Sequence, residues 1–162
     1  MRQGQQLWPL EVAGEMAVVI RDEIALLLTR YNLTDPAKTP GVFTDAKLQD
    51  LYNKLVAQGK LSVGDALKVG GAIEEIDILD LQTHLTQTDN ADIQQVYTNQ
   101  MNGSYNHLNA FSLTLSNQTG ETYTPQYLTT EKYQSIINSG VSNGSGRPAW
   151  AGGGNSTGRG NR

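Results

Sequence analysis

The residues of this 162-residue chain that could do chemistry are concentrated in one short run and one outlying histidine. The run is GAIEEIDILDLQTHL, Gly71 to Leu85, with Glu74, Glu75, Asp77, Asp80 and His84; the outlier is His107. Carboxylates and imidazoles together suit iron, manganese or zinc. A helical bundle that turns such side chains inward from facing helices can hold two metals. It normally does so with a Glu from each of two helices and Glu-x-x-His from the other two. This chain contains no Glu-x-x-His, because Ser104 stands three residues before His107 and Leu81 three before His84. Spacing alone therefore fits a hydrogen-bonded Glu74 and His107 pair as well as a metal site. For His84 it fits an i, i+4 ion pair with Asp80 on an outer face.

Helical periodicity supplies the elements that must position these groups. A dense apolar run predicts a helix over 15–31, mostly buried because it is apolar around its circumference, with Asn32 as its stop. Pro36, Pro40 and Gly41 then enforce a loop. Thr44 is placed to cap a helix over 45–58 that ends at Gly59. Ser62, with Asp65 three residues on, opens a third helix running to about Thr88. Asp89 and Asn90 make the turn into a fourth helix over 91–117, which NQTGETYTP breaks, and Thr129 or Thr130 starts a last one ending at Gly140. Strand-like alternation is weak throughout, so the fold is read as all-α, built on an antiparallel hairpin of two long helices. Alternating steps of three and four make Leu67, Gly71, Glu74, Ile78, Leu81 and Leu85 the inward line of the third helix. Glu75, turned by about 100°, falls outside that line and is expected to face solvent or lie on a flank. The fourth helix offers Tyr97, Met101, Ser104, Leu108, Phe111 and Leu115, with His107 on the adjacent stripe. A carboxylate at Glu74 must then be paired, protonated or metal-bound, since an uncompensated buried charge costs several kcal/mol, on the order of its desolvation.

Composition narrows the function further. Residues 1–139 hold all 16 acids but only nine of the 12 Lys and Arg, a net charge of −7 against −4 for the whole chain, which argues against a nucleic-acid partner. There is no cysteine, hence no disulfide and no thiolate metal site. No stretch is apolar for the roughly 20 residues of a membrane span, and Pro9, Glu11 and Glu15 interrupt any signal-peptide core. The chain reads as soluble, with its compartment open. Three segments are expected: an atypical N-terminal stretch over 1–21, a helical domain over 22–139, and a disordered Gly/Asn/Ser-rich tail over 140–162. Neither a Walker lysine pattern nor a nucleophilic triad is present. The tyrosines Tyr97, Tyr105, Tyr123, Tyr127 and Tyr133 read as amphipathic packing.

Five stretches, LLTRYNLTDP, PGVFTDAKLQDLYNKLV, GAIEEIDILDL, TDNADIQQVYTNQMNGSYNHLNAF and YTPQYL, resemble in order and spacing the ferritin-like family of unknown function numbered 2202, found in bacteria and archaea. The resemblance runs from Leu27 to Gly140. It implies a ferritin-like antiparallel helical bundle with a metal site for iron or another divalent metal, drawn from Glu74, Glu75 and His107. The front of the chain departs from the pattern: nothing matches the family's EEEKLARDVY-like first helix, and Ala17 and Ile20 stand where its SEQxHM-like segment has Glu and His. What the resemblance then implies is a bundle lacking its first helix and a metal site lacking half its ligands. Two functions follow: a metal protein acting on oxygen or peroxide, or a non-catalytic structural or interaction module that has lost its metal. A missing helix would expose the apolar sides of the 15–31 and 91–117 helices, so a homo-oligomer is expected.

Overall fold

The computed structural model describes residues 22–142, and within them the chain is all helical, with no strand. The expected N-terminal segment 1–21, and the tail beyond Ser142, lie outside the described residues. Five helices follow one another: α1 over 22–30, α2 from Ala46 to Gly59, α3 from Val63 to Leu85, α4 from Ala91 to Thr119 and α5 from Thr130 to Ser142.

Local chemistry sets most of these limits. Asn32 has φ 52° and ends the first helical turn sequence as expected. Asp45, not Thr44, caps α2: its carboxylate accepts the N–H groups of Lys47 and Leu48 at 2.7 and 3.0 Å. Ser62 caps α3 by accepting the Asp65 N–H at 2.9 Å while its hydroxyl donates to the Asp65 carboxylate at 2.6 Å. α3 stops at Leu85, three residues earlier than expected, where Thr86 and Gln87 donate back to Thr83 and His84. Gly120, left-handed at φ 74°, terminates α4 and returns its N–H to Ser116. α5 runs through Gly140, where an end was expected, to Ser142.

Packing concentrates on the α3–α4 hairpin. Ile78 of α3, Leu108 and Leu115 of α4, and Tyr133 and Ile136 of α5 form one core with Tyr123 and Leu128, which belong to the irregular segment 120–129. That segment crosses α3 and covers its buried face beside α4, while α2 packs against the first turns of α3, with Gly59 next to Ala66 and Val69. α1 runs antiparallel to the first half of α4: Asn99 donates to Glu23 at 3.1 Å, and Arg30 and Tyr31 both reach Asp92, at 2.6 and 2.9 Å. The expectation that the first helix is mostly buried fails for its described part. No residue over 22–30 is buried, and Leu26 is 71% exposed. α2 likewise has no buried residue.

Candidate functional site

The buried face of α3 is made by Gly64, Gly71, Ala72, Glu75, Ile78 and Leu81. It shares Gly71, Ile78 and Leu81 with the expected line but extends onto the neighbouring stripe, where it takes in Ala72 and Glu75. Glu75, expected in solvent or on a flank, has no exposed area at all, whereas Glu74, expected inward, keeps 13% of its side chain exposed on the edge facing α4. The reason is the segment after α4. A helix with one neighbour buries a narrow stripe, but α3 is covered by α4 on one side and by residues 120–129 on the other, which widens its buried sector.

Glu75 is held entirely by its own chain. The Tyr123 hydroxyl donates to Oε1 at 2.6 Å, and three consecutive backbone N–H groups point at the same carboxylate. Gln126 donates to both oxygens at 3.1 and 3.0 Å, and Tyr127 and Leu128 each donate to Oε2 at 2.7 Å. Successive amides converging on one anion form a nest, and here the nest lies just before the N-terminus of α5, where the helix dipole also favours negative charge. A carboxylate has about four lone-pair positions, and donors of this chain occupy them all. The Tyr123 phenol is raised above its ordinary range, by burial first and then by the hydrogen bond to Glu75, and so stays a donor. Gly71 makes room for it: a Cβ there would come within 2.5 Å of the Tyr123 ring. At neighbouring Gly70 a Cβ would come equally close to the ring of Phe111.

Glu74 and His107 do meet. Nδ1 of His107 lies 3.3 Å from Oε1 of Glu74, with 20% and 13% of their side chains exposed. The carboxylate raises the imidazole pKa, against the opposing effect of burial. The other ring nitrogen, Nε2, is buried with no hydrogen-bond partner. Asp77 lies one turn along α3 with its surface still exposed, yet its carboxyl is pushed up to about 6, by lost hydration first and then by Glu74 and Asp80. Asp80 and His84 form the expected outer pair, Nε2 to Oδ1 3.5 Å apart and both well exposed. Among the described residues no three His, Cys, Asp or Glu side chains converge closely enough to hold a metal together.

The raised pKa values set a pH dependence. A group that binds its proton more tightly when folded stabilises the fold below its unfolded pKa and loses that contribution as pH rises through the folded one. For Asp77 the loss runs from about 3.8 to about 6, and for His107 it begins near 6.5 and continues upward. Thermal midpoints measured from pH 4 to 9 are expected to show wild type losing its advantage over Asp77→Asn in the lower window and over His107→Gln in the upper one. Parallel curves would contradict both assignments. Solvent at Asp77 keeps its effect the smaller.

Comparison with known proteins agrees with this arrangement of helices. The family described as uncharacterized protein domain (DUF2202) matches residues 4–140. The chain belongs to the DUF2202 family. The match begins well ahead of Leu27, so much of the N-terminal stretch set apart from the resemblance lies within the region that aligns with DUF2202. A curated relative, "Uncharacterized protein MJ0754" of Methanocaldococcus jannaschii, is 44% identical over 145 residues, spanning 86% of this DUF2202 chain and 78% of the relative. The crystal structure of that hypothetical protein superposes with a TM-score of 0.76, at 44% identity, over 83% of this chain and 77% of the other.

Sequence reasoning brought Glu74 and His107 together and paired Asp80 with His84. It missed Tyr123 and the 126–128 amides. One signal pointed at Tyr123: the Gly70–Gly71 pair, which leaves space against a helix for an aromatic ring.

Proposed function

We propose that this DUF2202 chain is a ferritin-like helical protein that binds a divalent metal, iron being the family-level expectation, at the α3–α4 edge. His107 is its ligand through Nε2, with Glu74 the carboxylate that orients the ring. The observation that supports this is the state of His107, one nitrogen held by a carboxylate and the other buried without a partner. Metal-binding histidines are characteristically oriented by such a carboxylate contact at the far nitrogen. The donor set fits a metal only in part, because Glu75 has no free acceptor position and could become a ligand only by releasing residues 126–128. A bound iron would supply oxygen or peroxide chemistry; the described residues contribute orientation of the imidazole and exclusion of water.

Titration of the full chain with Co(II), followed by its visible absorption, is expected to show binding that His107→Ala abolishes and Glu74→Ala weakens by about 10- to 100-fold. Identical titrations for wild type and both variants would remove the reading.

The second reading is a non-catalytic interaction module, and one observation favours it. The apolar face of α2 and the loop before it stay open, with Val42 54%, Phe43 42%, Leu48 51% and Tyr52 38% exposed. Contiguous patches of this kind mark surfaces that meet other proteins, including a second copy of the chain. A homo-oligomer at micromolar concentration is the corresponding expectation, and a stable monomer by light scattering would count against it.

A further inference from the structure

We infer that Glu75 is the clasp that docks residues 121–139 onto the α3–α4 hairpin, and that it serves as this clasp instead of as a metal ligand. The segment ahead of α5 has no regular backbone partner for its amides at 126–128, and a helix start leaves further N–H groups to be satisfied. One carboxylate, projected from the middle of α3, satisfies three of them and a phenol together. The side chain of Gln126 adds a bond to the Lys68 carbonyl, on the same side of α3, at 3.2 Å. Beyond the clasp, the arm packs Leu128, Tyr133 and Ile136 into the core, and Tyr133 donates to Ser112 of α4 at 3.1 Å. These contacts follow one another from Tyr123 to Ile136, so the arm comes away as a unit if the carboxylate lets go. A metal at Glu75 would require that release, since metal and amide protons compete for the same lone pairs. This inference stands whether or not His107 takes a metal.

Hydrogen exchange of the full chain, read by mass spectrometry, tests it. In Glu75→Gln the amides of 126–128 and then those of α5 are expected to exchange at least tenfold faster, with the centre of α3 and α4 changed less. Tyr123→Phe, which removes one donor and leaves the carboxylate in place, gives a smaller increase at the same amides and keeps the test usable if the first variant does not fold. Wild type with and without Co(II) is expected to show equal protection at 126–128. Faster exchange there on adding Co(II), or full protection retained in either variant, overturns the inference. Loss of Co(II) binding in His107→Ala bears only on the metal reading.

Discussion

Glu75→Ala is expected to lower the stability of the chain by about 3–5 kcal/mol, from the neutral donors it orphans together with the space it vacates. The substitution leaves the Tyr123 hydroxyl and the Leu128 amide buried without acceptors, and each such group costs about 1–3 kcal/mol. It also leaves a cavity in the middle of α3, where Glu75 is among the largest fully buried side chains. Part of the loss is recovered because Gln126 and Tyr127 lie at the surface, where water can reach their amides. For a chain of this size the thermal midpoint should fall by roughly 10 °C or more. Glu75→Gln is the sharper comparison. It keeps the volume but replaces one acceptor by an NH2 group facing donors, so it too should destabilise, by about 2–3 kcal/mol. A double-mutant cycle with Tyr123→Phe, followed by urea unfolding, should give a coupling of about 1 kcal/mol or more. A midpoint for Glu75→Ala within 2 °C of wild type, on the order of a surface substitution, would show that the clasp holds nothing.

Gly71→Ala should destabilise even though alanine is the better helix former. In an open helix interior the exchange gains close to 1 kcal/mol, about the propensity difference. Here the new methyl group would lie within 2.5 to 2.7 Å of the Tyr123 ring. That ring cannot move freely, because its hydroxyl is tied to Glu75 and its far side meets Tyr133 with centroids 5.7 Å apart. Overpacking of this kind costs about 1–3 kcal/mol, so the net change is a loss. Gly59 provides the opposite sign within the same chain. A methyl group there meets only ordinary contacts at 3.7 Å and beyond, and Gly59→Ala should be neutral or stabilising by up to about 1 kcal/mol. Thermal unfolding of the two variants side by side checks the pair; stabilisation by both would mean that Tyr123 has slack the packing does not show.

The helices themselves were legible because each has a local cause. Ser62 caps with Asp65, Gly120 can take the left-handed turn, and apolar residues recur every three or four positions, all within one or two turns of chain. The Glu74 and His107 pair was legible for a related reason. Two helices joined by a short turn must run antiparallel, and their midpoints then fall opposite each other. The burial of Glu75 was not legible. Adjacent residues stand about 100° apart on a helix, and how wide a sector is buried depends on every neighbour. The neighbour that decided it was residues 120–129, a stretch without helical or strand periodicity, so its path carries no signature along the chain.

The sequence by itself determined an all-helical chain, an α3–α4 hairpin, an acidic surface and a histidine beside a glutamate. These depend on propensity, caps and short-range spacing, which are written within a few residues of where they act. Only the tertiary structure decided that Glu75 lies inside, bound by Tyr123 and the amides of 126–128, while Glu74 stands at the edge with His107. A buried charge is tolerated only where its donors converge, and those donors lie some 50 residues away in sequence, brought to Glu75 by the fold as a whole.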